Sequence, residues 1–157
     1  MYNRLIKFMA SGLGVGYFPV APGTVGSLLG VGYWWSLTLL LPWAHWLVFV
    51  VGVLFAVWCA GEAAEILRRP DPSCVVIDEI AVMPLALAGL AMRPWPILIG
   101  FACFRLFDIW KPPPVRQAQD FSGGVGIVLD DLIAALYACG ATHLILWAAM
   151  RITHHKF

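Results

Sequence analysis

Residues 75–110 read VVIDEIAVMPLALAGLAMRPWPILIGFACFRLFDIW, which is two apolar runs that meet at an Arg-Pro pair. Carboxylates lie near the outer end of each run, Asp78 and Glu79 in the first and Asp108 in the second. In an apolar environment a backbone must satisfy its own hydrogen bonds, so both runs are expected to be helices. The stretch therefore predicts a helical hairpin whose two acidic ends lie on the same side.

Apolar runs like these occupy most of the remaining sequence. The chain of 157 residues is 61% hydrophobic and 12% charged, whereas a soluble domain is about 45–50% apolar and about 25% charged. A complete membrane crossing needs about 20 apolar residues, so some of the runs are short for one. We predict a single all-α domain over residues 1–157, built as a polytopic membrane bundle of about five hydrophobic helices. The five runs cover residues 27–41, 43–60, 75–92, 94–110 and 126–150.

Composition also excludes several functional classes. High hydrophobicity and low charge density exclude a disordered chain, and a net charge of +1 gives no field that would attract nucleic acid. The four cysteines form no metal-binding or disulfide pattern. Glycines and prolines interrupt the apolar residues of the amino-terminal segment, so no cleaved signal peptide is predicted.

Positive charges are distributed unevenly between the predicted connections. Lys and Arg cluster before the first run, between the second and third, and after the fourth, whereas the other two connections contain only Arg93. The positive-inside rule therefore places the amino terminus and the charged loops in the cytoplasm. All nine acidic residues then lie at cytoplasmic ends of runs or in cytoplasmic loops. The carboxy-terminal tail departs from the rule, because five spans would leave Arg151 and Lys156 outside.

Five of the acidic residues are embedded in apolar sequence. A carboxylate at membrane depth costs about 2.5–3.5 kcal/mol, so these groups are expected to face one another, water or a cation. Carboxylate oxygens from several helices suit Mg²⁺, which also keeps positions for water and a substrate phosphate. The alternative is that the acids only pair with Arg105, Lys111 and Arg116. The five acids are Asp78, Glu79, Asp108, Asp130 and Asp131.

Two segments are candidates for phosphate binding. In FRLFDIWKPPPVR (104–116), Arg105 and Lys111 flank a carboxylate at helical spacing, so a guanidinium and an ammonium could hold a phosphate beside a metal ion. The alternative for both is snorkelling to the lipid headgroups. FPVAPGTVGSLLG (18–30) is a glycine-rich loop with Ser27 as the predicted N-cap of a helix, where backbone amides can bind an anion. The alternative for this loop is a turn followed by a cap.

Four uncommon motifs occur in one order along the chain. They are PVAPGTVGS (19–27), DPSCVVIDE (71–79), FRLFDIWKPPPVR (104–116) and GGVGIVLDD (123–131). Together they resemble the phosphatidylglycerophosphatase A family of bacterial membrane phosphatases, from about residue 12 to about residue 135. The resemblance implies an all-α, Mg²⁺-dependent enzyme that removes the terminal phosphate of phosphatidylglycerophosphate. It also implies that the five embedded acids, together with Arg105, Lys111 and Thr24, belong to the site.

The predicted activity is Mg²⁺-dependent hydrolysis of phosphatidylglycerophosphate to phosphatidylglycerol and inorganic phosphate. The enzyme is expected to be a multi-pass protein of the bacterial inner membrane, with its active site facing the cytoplasm. The expected partners are the lipid substrate and the bilayer, with no nucleic acid and no obligate protein partner. The alternative is a small ion-binding or transport protein that uses the intramembrane carboxylates.

The predicted site residues fall into three groups. The expected metal ligands are Asp78, Glu79, Asp130 and Asp131. The expected catalytic residues are Asp78, Asp108 and Asp131. The residues expected to bind the substrate phosphate are Thr24, Ser27, Arg105 and Lys111. Which carboxylate acts as base stays open, as does the choice between attack by water and an aspartyl-phosphate intermediate.

Overall fold

The computed structural model describes residues 1–154, which form seven α-helices and one 3₁₀ turn and contain no β-strand. This confirms the all-α prediction. Lys156, one of the two tail charges that depart from the positive-inside rule, lies outside the described residues. The helices are α1 (Tyr2–Ala10), α2 (Pro22–Thr38), α3 (Pro42–Leu67), α4 (Ile77–Ala86), α5 (Pro94–Trp110), α6 (Val115–Ala118) and α7 (Gly124–His154), and the 3₁₀ turn is Val15–Tyr17.

Proline begins three of the long helices. Pro22, Pro42 and Pro94 are the first residues of α2, α3 and α5. A helix leaves its first N–H groups without an intrahelical partner, so the missing N–H of proline is tolerated there and its fixed φ favours the helix. The sharp junctions between the apolar runs therefore come from proline.

The apolar run at residues 75–92 does not form one continuous helix. α4 ends at Ala86, and the chain then turns through the residues before α5. Gly89 in this turn has a φ of +71°, a left-handed conformation that glycine adopts without steric cost. With ten residues, α4 is too short to cross a bilayer. One half of the predicted hairpin is thus a short helix followed by turns.

Two helices are long and apolar enough to cross a membrane. The most apolar 18-residue windows of α3 and of 124–152 in α7 have mean hydropathies of 2.2 and 1.7. Both helices expose large apolar side chains, including Trp46 and Leu54 on α3 and Leu144 on α7. An exterior of this kind fits a protein surrounded by lipid. Crossing by α2 and α5 stays a prediction, because they have 17 residues each, close to the minimum length for a span.

α4 is the centre of the structure and packs against α2, α3, α5 and α7. Val82 and Met83 of α4 are completely buried. Glycine permits the close approaches: a Cβ on Gly30 of α2 would lie 2.7 Å from the Met83 Cβ, and a Cβ on Gly124 of α7 would lie 1.8 Å from the Val57 carbonyl oxygen of α3. Small residues thus set the positions of α2 and α7 around the core.

This packing brings three acidic helix segments together at one end of the bundle. Asp78 lies in the first turn of α4, Asp108 in the last turn of α5, and Asp130 and Asp131 about two turns into α7. All four side chains are buried. The predicted gathering of the embedded acids at one end of the helices is therefore present.

Candidate active site

The ends of α4, α5 and α7 enclose an acidic cavity of about 450 Å³. Loop residues before α4 and before α7, together with Gly23 of α2, complete its lining. Among the described residues that line it, Lys111 is the one cationic side chain. The carboxylates that line the cavity are Asp71, Asp78, Glu79, Asp108, Asp120, Asp130 and Asp131.

Arg105 joins the α4 and α5 carboxylates on one side of the cavity. Its Nη1 lies 3.1 Å from Glu79 Oε1 and 2.8 Å from Asp108 Oδ2. The same nitrogen donates a 3.2 Å hydrogen bond to Ser27 Oγ of α2. Glu79 and Asp108 line the cavity, whereas Arg105 and Ser27 do not. The guanidinium therefore lies behind the two carboxylates.

On the α7 side of the cavity, the carboxylate oxygens have fewer hydrogen-bond partners. Lys111 Nζ donates a 2.6 Å hydrogen bond to Asp130 Oδ2. The other oxygen of this group, Asp130 Oδ1, and Asp131 Oδ2 are buried and have no hydrogen-bond partner within the described part of the chain. A buried acceptor without a partner is destabilising by about 1–3 kcal/mol, and by more for a charged group. These oxygens are suited to bind a cation.

The start of α2 holds Glu79. Ser27 Oγ lies 3.0 Å from Glu79 Oε2, and a Cβ on Gly23 would lie 2.2 Å from Glu79 Oε1. The prediction that Ser27 is an N-cap is wrong, because α2 begins five residues earlier at Pro22 with Ala21 as its N-cap. The anion that lies against this glycine-rich segment is thus a carboxylate of the protein itself.

Burial and neighbouring charges change the acidity of three groups outside the two candidate spans. Burial raises the pKa of the Asp78 carboxyl well above its usual range, and the charge of Glu79 acts in the same direction. Burial also raises the pKa of Glu79, although the Arg105 guanidinium opposes this. Burial alone would lower the pKa of Lys111, but the hydrogen bond to Asp130 and the charge of that carboxylate raise it above its ordinary value. Lys111 is therefore cationic at neutral pH.

The donor set of the cavity fits Mg²⁺. Among the side chains that the structure describes, those of residues 1–152, no three His, Cys, Asp or Glu groups form a ready ligand set around one point. Mg²⁺ usually takes one or two protein carboxylates and fills its other positions with water and substrate oxygens, so a complete protein cage is not required. The unpaired buried oxygens of Asp130 and Asp131 are hard donors of the type that this ion prefers.

Six of the nine predicted site residues line the cavity, namely Asp78, Glu79, Asp108, Lys111, Asp130 and Asp131. The other three, Thr24, Ser27 and Arg105, do not. The alternative in which the acids only form ion pairs explains part of this arrangement, since Arg105 and Lys111 pair with three of the five. It leaves Asp78 and Asp131 without a cationic partner among the described residues, and Arg116 is exposed.

Two of the cavity carboxylates were not predicted as site residues from the sequence. Asp71 and Asp120 are exposed loop residues that line the cavity beside Ser73 and Phe121. Asp71 is the first residue of the motif DPSCVVIDE (71–79), and its place in that motif could have identified it as a site residue. Asp120 stands among polar residues, so no cost of burial distinguished it from a solvated loop residue.

Comparison with known proteins agrees with the four motifs. Residues 8–146 match the family model Phosphatidylglycerophosphatase A. Phosphatidylglycerophosphatase A of Escherichia coli (strain K12) is 34% identical over 140 residues, which cover 87% of this chain and 81% of the relative. Phosphatidylglycerophosphatase A of Haemophilus influenzae is 35% identical over 136 residues, covering 85% of this chain and 83% of the relative.

A protein of Bacteroides thetaiotaomicron, provisionally named a phosphatidylinositol-3-phosphatase, is 38% identical over 138 residues, covering 83% of this chain and 86% of the relative. No solved structure matches the chain significantly. The resemblance drawn from the motifs is confirmed by the family model and by the two relatives of that name. The chain belongs to the phosphatidylglycerophosphatase A family.

Proposed function

We propose that this chain hydrolyses the terminal phosphate ester of phosphatidylglycerophosphate and releases phosphatidylglycerol and inorganic phosphate, with Mg²⁺ as cofactor. The observation that carries the proposal is the acidic cavity, in which carboxylates from three helices converge beside one lysine. Family membership supports the choice of substrate, because two relatives carry the name phosphatidylglycerophosphatase A.

The proposed metal-binding residues are the carboxylates of α4 and α7. Asp130 and Asp131 have buried oxygens without a protein partner, and Asp78 accepts a hydrogen bond from the backbone N–H of Glu79. When bound, Mg²⁺ supplies positive charge for the phosphate oxygens and makes a water molecule a better nucleophile. The proposed ligands are Asp78, Glu79, Asp130 and Asp131.

Lys111 is the residue best placed to bind the substrate phosphate. Its ammonium lines the cavity, where it contacts Asp130, and an ammonium can contact a phosphate oxygen as a point charge. Electrostatic stabilisation of this kind supplies most of the catalysis in phosphoryl transfer. Phosphate binding by Thr24 and Ser27 stays a prediction, since neither side chain lines the cavity.

Asp108 is the proposed general base of a water route. Its Oδ2 contacts Arg105, and its side chain lines the cavity. In this route Asp108 takes a proton from the attacking water while the water oxygen bonds to phosphorus and the ester P–O bond breaks. Solvent water protonates the leaving glycerol oxygen, and Asp108 then returns its proton to solvent. Attack by Asp131 to form an aspartyl-phosphate is the alternative. Treatment with hydroxylamine during turnover would trap an acyl phosphate as a hydroxamate and thus separate the two routes.

Phosphatidylinositol 3-phosphate is a second candidate substrate. The Bacteroides relative provisionally named for that lipid is 38% identical, and the cavity offers charge for a phosphomonoester on either headgroup. Ion transport is supported less well. A transport path would need polar groups away from the cavity as well. An apolar groove beside the carboxy-terminal half of α7 includes Arg93 and His143, and no acidic residue is among its described lining residues.

We further propose that the protein is a multi-pass protein of the bacterial inner membrane and that the cavity opens to the cytoplasm. The apolar exteriors of α3 and α7 and the distribution of Lys and Arg support this placement. Single cysteines at Ser73 or Ser122 in a Cys-free chain should resist an impermeant thiol reagent in sealed right-side-out vesicles and react after the vesicles are opened. A cysteine at Pro42 should show the reverse. Labelling of Ser73 or Ser122 from outside would contradict the placement.

Phosphate release by the purified chain in detergent tests the activity. We expect release from phosphatidylglycerophosphate with Mg²⁺, and none with excess chelator until Mg²⁺ is restored. Phosphatidylinositol 3-phosphate and phosphatidic acid should be tested in parallel at equal mole fraction. Faster release from phosphatidylinositol 3-phosphate would favour the second candidate, and full activity in chelator would contradict the metal dependence.

A further inference from the structure

Arg105 is enclosed by partners from three helices. Its Nη1 contacts Glu79 of α4, Asp108 of α5 and Ser27 of α2, at 3.1, 2.8 and 3.2 Å. Its Nε is buried and has no hydrogen-bond partner in the part of the chain that the structure describes. The side chain is 16% exposed. The guanidinium is thus fixed in place by protein groups.

This arrangement is poorly suited to a phosphate ligand. Arginine binds phosphate most strongly through two nitrogens at once. Any two of the three guanidinium nitrogens include Nη1 or Nε, and Nη1 contacts two carboxylates while Nε is buried. A two-nitrogen contact would therefore have to displace Glu79 and Asp108 from Nη1 or reach the buried Nε. Both of those carboxylates line the cavity, and Arg105 does not.

The contacts suit a bracing role instead. Glu79 and Asp108 come from different helices, and a cation between two carboxylates offsets their mutual repulsion. Glu79 is also held at its second oxygen by Ser27 Oγ at 3.0 Å. Gly23 leaves room for the carboxylate, because a Cβ there would lie 2.2 Å from Oε1. Arg105 and Ser27 therefore fix where Glu79 and Asp108 face the cavity, and Gly23 leaves the space that Glu79 needs.

We propose that Arg105 is a positioning residue, which holds Glu79 and Asp108 in the geometry needed for catalysis and does not bind the substrate phosphate. This inference rests on the proposed function and gives both Arg105 and Ser27 a role different from the phosphate binding predicted for them from the sequence. Ser27 acts with it, as the hydroxyl that contacts both Arg105 and Glu79.

Steady-state kinetics of three Gln variants at saturating Mg²⁺ test the assignment. Lys111→Gln should raise the inhibition constant of inorganic phosphate by about tenfold or more, the effect of losing a charge-assisted hydrogen bond. Arg105→Gln should lower kcat by about tenfold or more, a typical loss for a misplaced catalytic group. It should leave KM and the phosphate inhibition constant within about twofold of wild type, a change that corresponds to roughly 0.4 kcal/mol. Arg116→Gln, at an exposed position in α6, is the matched control and should leave all three constants unchanged.

Thermal unfolding of the chelator-treated protein gives a readout that needs no activity. Arg105→Gln should lower the melting temperature more in the wild-type chain than in a Glu79→Gln chain, because residues in contact show non-additive effects. This double-mutant cycle also separates the positioning role of Arg105 from the proposed function. If wild type hydrolyses neither lipid, the proposed function fails while the coupling of Arg105 to Glu79 can still be measured.

Arg105→Lys keeps the test decisive if Arg105→Gln does not fold. Lysine keeps the charge but lacks the rigid fork that contacts several groups in a fixed geometry, so we expect a lower kcat and an unchanged phosphate inhibition constant. A phosphate inhibition constant that rises in the Arg105 variants as it does in Lys111→Gln would overturn the proposal. Additive effects of Arg105→Gln and Glu79→Gln on the melting temperature would also overturn it.

Discussion

The two sides of the acidic cavity are built differently. On the braced side, Glu79 and Asp108 contact Arg105, and Glu79 also contacts Ser27. On the open side, Asp130 contacts Lys111 through one oxygen, while Asp130 Oδ1 and Asp131 Oδ2 have no partner within residues 1–154. The carboxylates of the braced side are thus held by protein groups before anything binds, whereas the open side has free oxygens for a ligand. Groups fixed before the reaction avoid the cost of reorganisation during it.

The largest expected effect is on the open side. Asp131→Asn keeps the shape of the side chain and removes its charge, so turnover should fall by at least about a hundredfold, the scale of losing a main electrostatic group. Asp78→Asn, on α4 beside Glu79, should lose activity to a similar extent. Phosphate release at saturating Mg²⁺ measures both, with expression in the membrane as the control for folding. Full Mg²⁺-dependent activity in Asp131→Asn would show that the metal site lies elsewhere.

A smaller loss of activity is expected when a substitution moves the Glu79 carboxylate of the braced side but removes no charge. In Gly23→Ala the new methyl group would meet the Glu79 carboxylate, with Cβ 2.2 Å from Oε1, so the carboxylate must move. A shift of about 1 Å at a catalytic group can lower the rate by about a hundredfold, and we expect a loss of about tenfold or more. Gly32→Ala is the matched control on α2, because a Cβ there meets no atom within 4 Å. Equal activity of the two variants would argue against bracing of Glu79.

The third prediction concerns stability and pH. The folded-state pKa of Asp78 is raised by burial, so folding favours the protonated form. This contribution to the free energy of unfolding is fully present below the usual Asp pKa of about 4. It is lost as pH rises through the raised pKa of Asp78 in the folded protein. The metal-free protein should therefore melt at lower temperature as pH rises from about 4 to 7. Asp78→Asn should melt higher than wild type at pH 7 and show a shallower dependence, with a residual slope from Glu79. Thermal melts in chelator measure both, and identical slopes would contradict the prediction.

The smallest effect is expected outside both sides of the cavity. Glu65 is an exposed residue near the end of α3 and does not line the cavity. Surface substitutions usually change stability by less than about 0.5 kcal/mol, so Glu65→Gln should keep activity and melting temperature near wild type. The same phosphate-release and melting measurements apply. A loss like that of Asp131→Asn would extend the functional acidic region beyond the cavity.

The open side was predictable from the sequence to a large extent. Asp130 and Asp131 stand inside an apolar helix, where an unpaired carboxylate is so costly that its position alone indicates a site. The same reasoning found Asp78, Glu79 and Asp108. The helix starts at Pro42 and Pro94 were predictable because proline has few allowed places in a helix.

The braced side was less predictable because its contacts are long-range. Ser27 and Arg105 are 78 residues apart, and no local pattern indicates that a guanidinium will face Glu79 and not a ligand. The break after Ala86 was missed because an uninterrupted apolar run hides the end of a helix. α1 was missed although its apolar residues recur at helical spacing, because its nine residues are fewer than the window of about 11–18 residues over which that spacing is normally recognised.

The apolar exteriors of α3 and α7, with the cavity at one end of the bundle, have a kinetic consequence for a membrane-embedded phosphatase. Substrate would arrive by diffusion within the plane of the bilayer, so the relevant concentration is molecules per unit area and not per unit volume. Diluting phosphatidylglycerophosphate with inert lipid at constant bulk concentration should then slow the reaction. The released phosphate diffuses away into the aqueous phase, whereas the lipid product stays in the bilayer and competes with substrate for entry to the cavity. The composition of the membrane would therefore set the rate of this protein as directly as the amount of substrate does.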